Sequence, residues 1–157
     1  MNVLARNATV ALLFINNAVV LSAKADDTCT GETVLHDAKV EDIRDFITRR
    51  NAEILTFQGY SGSEYEDPAA TLELAAQILD AQNPSRTLVN IGATEIGIGA
   101  VYVLAKQKGF DTMGIVSTLA RDQGAVLSPC VDNVFFVKDS TWGGLISEKN
   151  ELSPTSQ

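Results

Sequence analysis

The sequence predicts an α/β domain built on a doubly wound, mainly parallel sheet of at least four strands with flanking helices. Three observations carry this expectation. First, the apolar run 88–91 is too short for a helix and ends at Gly92, so it reads as a buried strand. Gly97 and Gly99 follow, then an alanine-rich, helix-favouring segment 100–108 closed by Gly109, then a second apolar run at 113–116. Strand, glycine loop, helix, strand is a βαβ unit, which implies parallel strands and a right-handed crossover. Second, the same alternation appears upstream, over 53–81. Third, polar or glycine-rich loops follow each strand, at 58–63, 92–99, 117–121 and 138–144. In open α/β sheets ligands bind outside the carboxyl ends of the strands.

Taken in order, residues 1–25 read as a signal peptide. Arg6 precedes the apolar run 10–21, and Ala23-Lys24-Ala25 offers an A-x-A cleavage site. The run is too short to span a bilayer comfortably, so the mature chain carries no membrane span and export to a periplasmic or secreted location is expected. The alternative is a cytoplasmic protein whose N-terminus is an amphipathic helix or an edge strand. Residues 26–38 read as a linker, and 39–144 as the domain. Within it, Val40, Ile43, Phe46 and Ile47 line one face of a helix over 39–50, with Asn51 at its end. Residues 53–57 form the first expected strand. Asp67 and Pro68 suit the start of a helix over 69–81, which Asn83-Pro84-Ser85 breaks. A last strand covers 131–137. Residues 145–157 read as a polar, poorly ordered tail, or as the end of a truncated domain.

At 157 residues the chain has length for one domain with its own core. Its net charge is −8 and it has no Lys/Arg run, which argues against nucleic acid as a partner. A negative field also repels free nucleotides, so any phosphate site must rely on local N–H groups. Cys29 and Cys130 can pair in an oxidising compartment, or stand as unrelated thiols. With two cysteines and one histidine, neither a zinc site nor any other metal or cofactor is expected.

The candidate ligand residues are Gly59, Tyr60, Ser61 and Gly62 in the first loop and Gly92, Ala93, Thr94, Gly97 and Gly99 in the second. Ser117 and Arg121 follow the next strand. Glycine lets backbone N–H groups approach a ligand, and a helix N-terminus favours an anion. The spacing G-x-x-x-x-G-x-G is neither the dinucleotide fingerprint nor the P-loop. The alternative is that these glycines serve turning and packing. Arg121 is either an anion clamp or a surface arginine paired with Asp122. His36, in a loop or first helical turn, reads as solvated or capping. For acid catalysis the candidates are Glu64, Glu66, Asp67 and Glu95. Glu95, inside the second loop, is the best of them, its alternative role being a charge at a helix N-terminus.

Thr56-Phe-Gln-Gly-Tyr-Ser-Gly62, Val89-Asn-Ile-Gly-Ala-Thr-Glu-Ile-Gly-Ile-Gly-Ala100 and Gly114-Ile-Val116 together resemble the Rossmann-like SLOG superfamily. That group includes the lysine-decarboxylase-like, or LOG, proteins, which are nucleoside-monophosphate phosphoribohydrolases. Gly59, Ser61 and Gly62 match the first LOG loop, and Gly92, Gly97 and Gly99 approximate the second. The resemblance spans roughly 53–137 and implies a phosphate and ribose site at these loops. Gly92-Ala93-Thr94 stands where LOG proteins have three glycines, and the P-G-G-x-G-T-x-x-E motif with its glutamate is absent.

The leading expectation is a nucleotide- or phosphosugar-binding domain without catalysis of its own, its partner a nucleotide or phosphorylated small molecule. A phosphoribohydrolase-type enzyme is the first alternative. The second is an exported structural or interaction module, with Tyr60 and Trp142 as surface anchors. Assembly as a homodimer stays open.

Overall fold

The computed structural model of the chain describes Cys29 and residues 31–59, 65–139, 145–148 and 151–154. Its centre is a parallel sheet of five strands: β1 (Val34–Ala38), β2 (Glu53–Thr56), β3 (Thr87–Ile91), β4 (Asp111–Ser117) and β5 (Asn133–Val137). Their order across the sheet is β1-β5-β4-β3-β2, every neighbouring pair parallel. The helices are α1 (Val40–Arg50), α2 (Pro68–Asp80), α3 (Ala100–Gln107) and the short α4 (Thr118–Asp122). This is the Rossmann-like, doubly wound α/β fold.

Strand order dictates which face each helix covers. From β2 to β5 the chain steps one strand at a time in one direction. From β1 to β2 it jumps across the whole sheet in the other. Right-handed crossovers therefore put α1 on one face and the later helices on the opposite one. Two cores result. Ile43, Phe46 and Ile47 of α1 pack with Leu88, Met113, Phe135 and Val137. Ala75 and Leu79 of α2, Val101, Tyr102 and Ala105 of α3 and Ala120 of α4 share the other core with Val89, Ile91, Val116, Val134 and Phe136. Successive strand residues alternate between the two. β3 and β5 are buried along their whole length, which is why apolar residues dominate both.

Local chemistry sets the helix ends. Asp67 accepts a hydrogen bond from the Ala70 amide at 2.9 Å, with Pro68 in the first turn of α2. Asp42 accepts from the Lys39 amide at 2.8 Å and closes the start of α1. Asn51 ends α1 in the left-handed conformation, at φ 48°.

Three parts of the sequence reading need correction. Residues 34–38, read as linker, form the edge strand β1, so His36 lies in a strand and not in a loop. The hydrogen-bonding partner that makes it a strand is β5, 97 residues away at the His36–Asn133 side-chain contact. Residues 118–122 form α4 where a loop was expected. Part of the expected polar tail forms an antiparallel hairpin, β6 (Leu145–Glu148) with β7 (Glu151–Pro154).

The amino-terminal edge of the sheet is fastened by polar and covalent links. Cys29 and Cys130 form a disulfide, Cα–Cα 4.6 Å, across a sequence separation of 101. Asp132 accepts from Lys106 Nζ at 2.8 and 3.0 Å and from the Thr112 amide at 2.8 Å. The buried Thr112 hydroxyl donates to the Cys130 carbonyl at 2.8 Å and accepts from the Asp132 amide at 3.0 Å. Among the described residues no helix is long and apolar enough to cross a membrane.

A cross-link closing a loop of this length removes much denatured-state entropy. Cys29→Ser is expected to destabilise the fold by about 4–5 kcal/mol. Denaturant midpoints of the oxidised wild type, the reduced wild type and the variant measure this, and the last two should coincide.

Candidate functional site

All five strands point their carboxyl ends to one edge, so the loops after them share that edge. β2 and β3 are neighbours, and the loops that follow them meet. A Cβ added to Gly59 would collide with the Tyr65 hydroxyl and stand 3.1 Å from the Ile98 Cβ. Ile98 belongs to the short 3₁₀ turn Gly97–Gly99 that leads into α3. Two of the sequence-predicted loops are thus brought together at Gly59 and Ile98, with Tyr65 and Ile98 filling the space between them. Tyr60, Ser61, Gly62 and Glu64 lie outside the described residues, as do Trp142 and residues 1–25.

The loop after β3 is closely packed. Ala93 is fully buried in the left-handed region, at φ 65°, a conformation that glycine adopts freely and alanine adopts with strain. Its amide donates to the Tyr102 hydroxyl at 3.2 Å, and that hydroxyl donates to the Met113 carbonyl of β4 at 2.8 Å. Its carbonyl accepts from the Ser128 amide at 2.9 Å, and Thr94 bridges to Leu127. A Cβ on Gly114 would lie 2.6 Å from the Ala93 Cβ, and one on Gly99 would run into the Thr94 carbonyl. Gly99 and Gly114 are therefore required by close backbone approach. The Ala93 amide, expected to be available to an anion, is committed to Tyr102.

Burial pushes the Tyr102 hydroxyl well above the ordinary tyrosine range, and its hydrogen bond from the Ala93 backbone offsets only part of that. The neutral phenol is the form that bridges β3 to β4.

Ser117 and Arg121 sit at the carboxyl end of β4. The Ser117 hydroxyl donates to the Asp139 carbonyl at 2.8 Å and accepts from the Leu119 amide at 3.0 Å, starting α4. Arg121 does not pair with Asp122, as the surface alternative supposed. It reaches β1 and bonds Asp37 Oδ1 at 2.6 Å, with its guanidinium 4.9 Å from the Phe136 ring centre. Arg and Asp adjacent in sequence point apart on a helix, whereas β1 lies alongside β5. Both partners are largely solvated, so the pair is weak and Arg121 can exchange it for another anion.

The chain leaves β1 for one face and β2, β3 and β4 for the other. The change of face falls on the β1 side of the sheet, the kind of position where open α/β sheets form ligand crevices. A cleft of about 310 Å³ opens there between β1 and α1, lined by His36, Asp37, Asp42, Asp45, Phe46 and Phe135 among others. The His36 ring stacks on Phe135 at 4.6 Å and lies 3.2 Å from Asn133 Oδ1 through Nε2. Sequence reading missed this cleft because β1 is a short, half-exposed edge strand with no strong pattern of its own.

Of the acid candidates, Glu66 and Glu95 are exposed and Asp67 is a helix cap. None of these three has the burial that tunes a catalytic acid. Among the described residues no group of three His, Cys, Asp or Glu side chains is arranged to hold a metal. Compared with known proteins, the chain matches no family model and no curated protein.

Gly114→Ala is expected to destabilise by about 1–3 kcal/mol, because the added methyl meets backbone. Tyr102→Phe leaves the buried Ala93 amide without its partner, removes the bond to the Met113 carbonyl and should lower stability by about 1–3 kcal/mol, measured by denaturant unfolding. Stability from the neutral Tyr102 is fully present below pH 10.0, the ordinary tyrosine value, and is lost as pH rises above it, because the unfolded chain then ionises first. Unfolding free energies on either side of that pH should show the loss in wild type and a smaller one in Tyr102→Phe.

Proposed function

We propose that this chain is a nucleotide- or phosphosugar-binding domain that holds its ligand along the carboxyl edge of the sheet and performs no chemistry on it. The observation that carries the reading is the meeting of the two glycine loops at Gly59 and Ile98, at the ends of adjacent parallel strands. Arg121 adds an exchangeable cation on the same edge, reaching from the end of β4 over β5 to Asp37 of β1. Phosphate would lie toward Arg121 and the sugar toward Gly59. The resemblance to SLOG domains supports the same ligand class. The hydrolase alternative draws no support from the exposed Glu95.

The Cys29–Cys130 disulfide supports export, since such links persist in oxidising compartments.

A ligand present at a hundred times its dissociation constant stabilises its binder by about 2.7 kcal/mol. AMP or ribose 5-phosphate is therefore expected to raise the thermal midpoint of the full chain, and Arg121→Ala to reduce that response. A flat response to every nucleoside mono- and diphosphate and to ribose 5-phosphate sinks the proposal.

A further inference from the structure

Among the described residues, two buried side-chain polar atoms have no hydrogen-bond partner, Asn90 Oδ1 and Tyr65 Oη. Both occur at the carboxyl ends of β2 and β3. Tyr65 Oη lies against Gly59. Asn90, in β3, is 2% exposed, and its Nδ2 donates to Thr56 Oγ1 of β2 at 3.2 Å. Turning the amide over exchanges its two ends but still leaves one polar atom unpaired. A buried amide left in this state opposes folding, and packing alone does not call for one. Position 90 lies in a strand whose neighbours Leu88, Val89 and Ile91 are all apolar, and an apolar side chain there leaves no polar atom unpaired. Thr56, beside it on the edge strand, is exposed, as are Gln58 and Gly59, so the end of β2 is open to solvent.

We propose that Asn90 is a ligand-binding residue and that the carboxyl ends of β2 and β3 recognise a neutral, hydroxyl-bearing part of the ligand. A hydroxyl both donates and accepts, so it satisfies the Asn90 amide in either orientation and the Tyr65 hydroxyl as well. A phosphate only accepts. The surroundings disfavour an anion at this end, since the chain carries a net charge of −8 and the neighbouring Ala93 amide is already bonded to Tyr102. This rests on the small-molecule reading above and assigns the sugar end of that ligand.

The test uses the full chain and four probes: adenosine, AMP, ribose 5-phosphate and inorganic phosphate. Titration calorimetry and thermal shift are run on wild type, Asn90→Leu and Thr56→Val. Adenosine is expected to bind wild type and inorganic phosphate to fail. Asn90→Leu should weaken adenosine about tenfold, the value of one good hydrogen bond. Thr56→Val, at an exposed position, should weaken adenosine by a smaller factor through a less well oriented amide. Wild-type affinity for AMP in Asn90→Leu overturns this inference while leaving the proposed function standing. Silence to all four probes removes both.

Discussion

The Tyr102 hydroxyl is the interaction on which the carboxyl edge depends. It is fully buried, takes the Ala93 amide and gives its proton to the Met113 carbonyl. One side chain from α3 thereby ties the loop after β3 to the middle of β4. The strained Ala93 is held in place by this bond, by the Ser128 amide on its carbonyl and by contact with Gly114. Strain of this kind persists only where the surroundings over-determine the backbone. Removing the bridge would free the loop that sets the start of α3.

The two edges of the sheet have different chemistry. At the amino edge polar groups are mutually satisfied: Lys106, Thr112 and Asp132 close a network beside the Cys29–Cys130 link. At the carboxyl edge satisfaction is incomplete. Asn90 and Tyr65 keep unpaired atoms, and Arg121 holds only a solvated partner. Polar groups are thus fully paired at one end of the sheet, and at the other two buried atoms are left without partners among the described residues. That division suits a binding domain, in which the loops must meet a ligand while the base of the sheet stays fixed.

Much of the fold was legible because the central strands and helices carry strong local patterns. The run 88–91 is apolar at every position but Asn90 since β3 is covered on both faces, and the Asp67-Pro68 pair marks the start of α2 with its own side chain. β1 was missed for the opposite reason. Half exposed and next to a charged stretch, Val34–Ala38 becomes a strand only because β5 offers it a ladder. The candidate site was legible in part. The glycine loops do meet at the end of adjacent strands, yet Gly99 and Gly114 answer to packing, and the Ala93 amide is spent inside the fold. Arg121 was marked as a clamp or a surface pair, but its partner proved to be Asp37, which no local pattern could supply.

The sequence by itself determined the α/β class, the approximate boundaries of α1, α2 and α3, the central strands and the glycine loop after β3. Each of these follows from periodicity, capping and turn chemistry within a few residues. Only the tertiary structure decided the strand order, the addition of β1 as an edge, the closeness of Cys29 to Cys130 and which polar atoms find partners. Those depend on contacts between residues far apart in the chain, where loop closure and the handedness of crossovers, not local preference, select the arrangement.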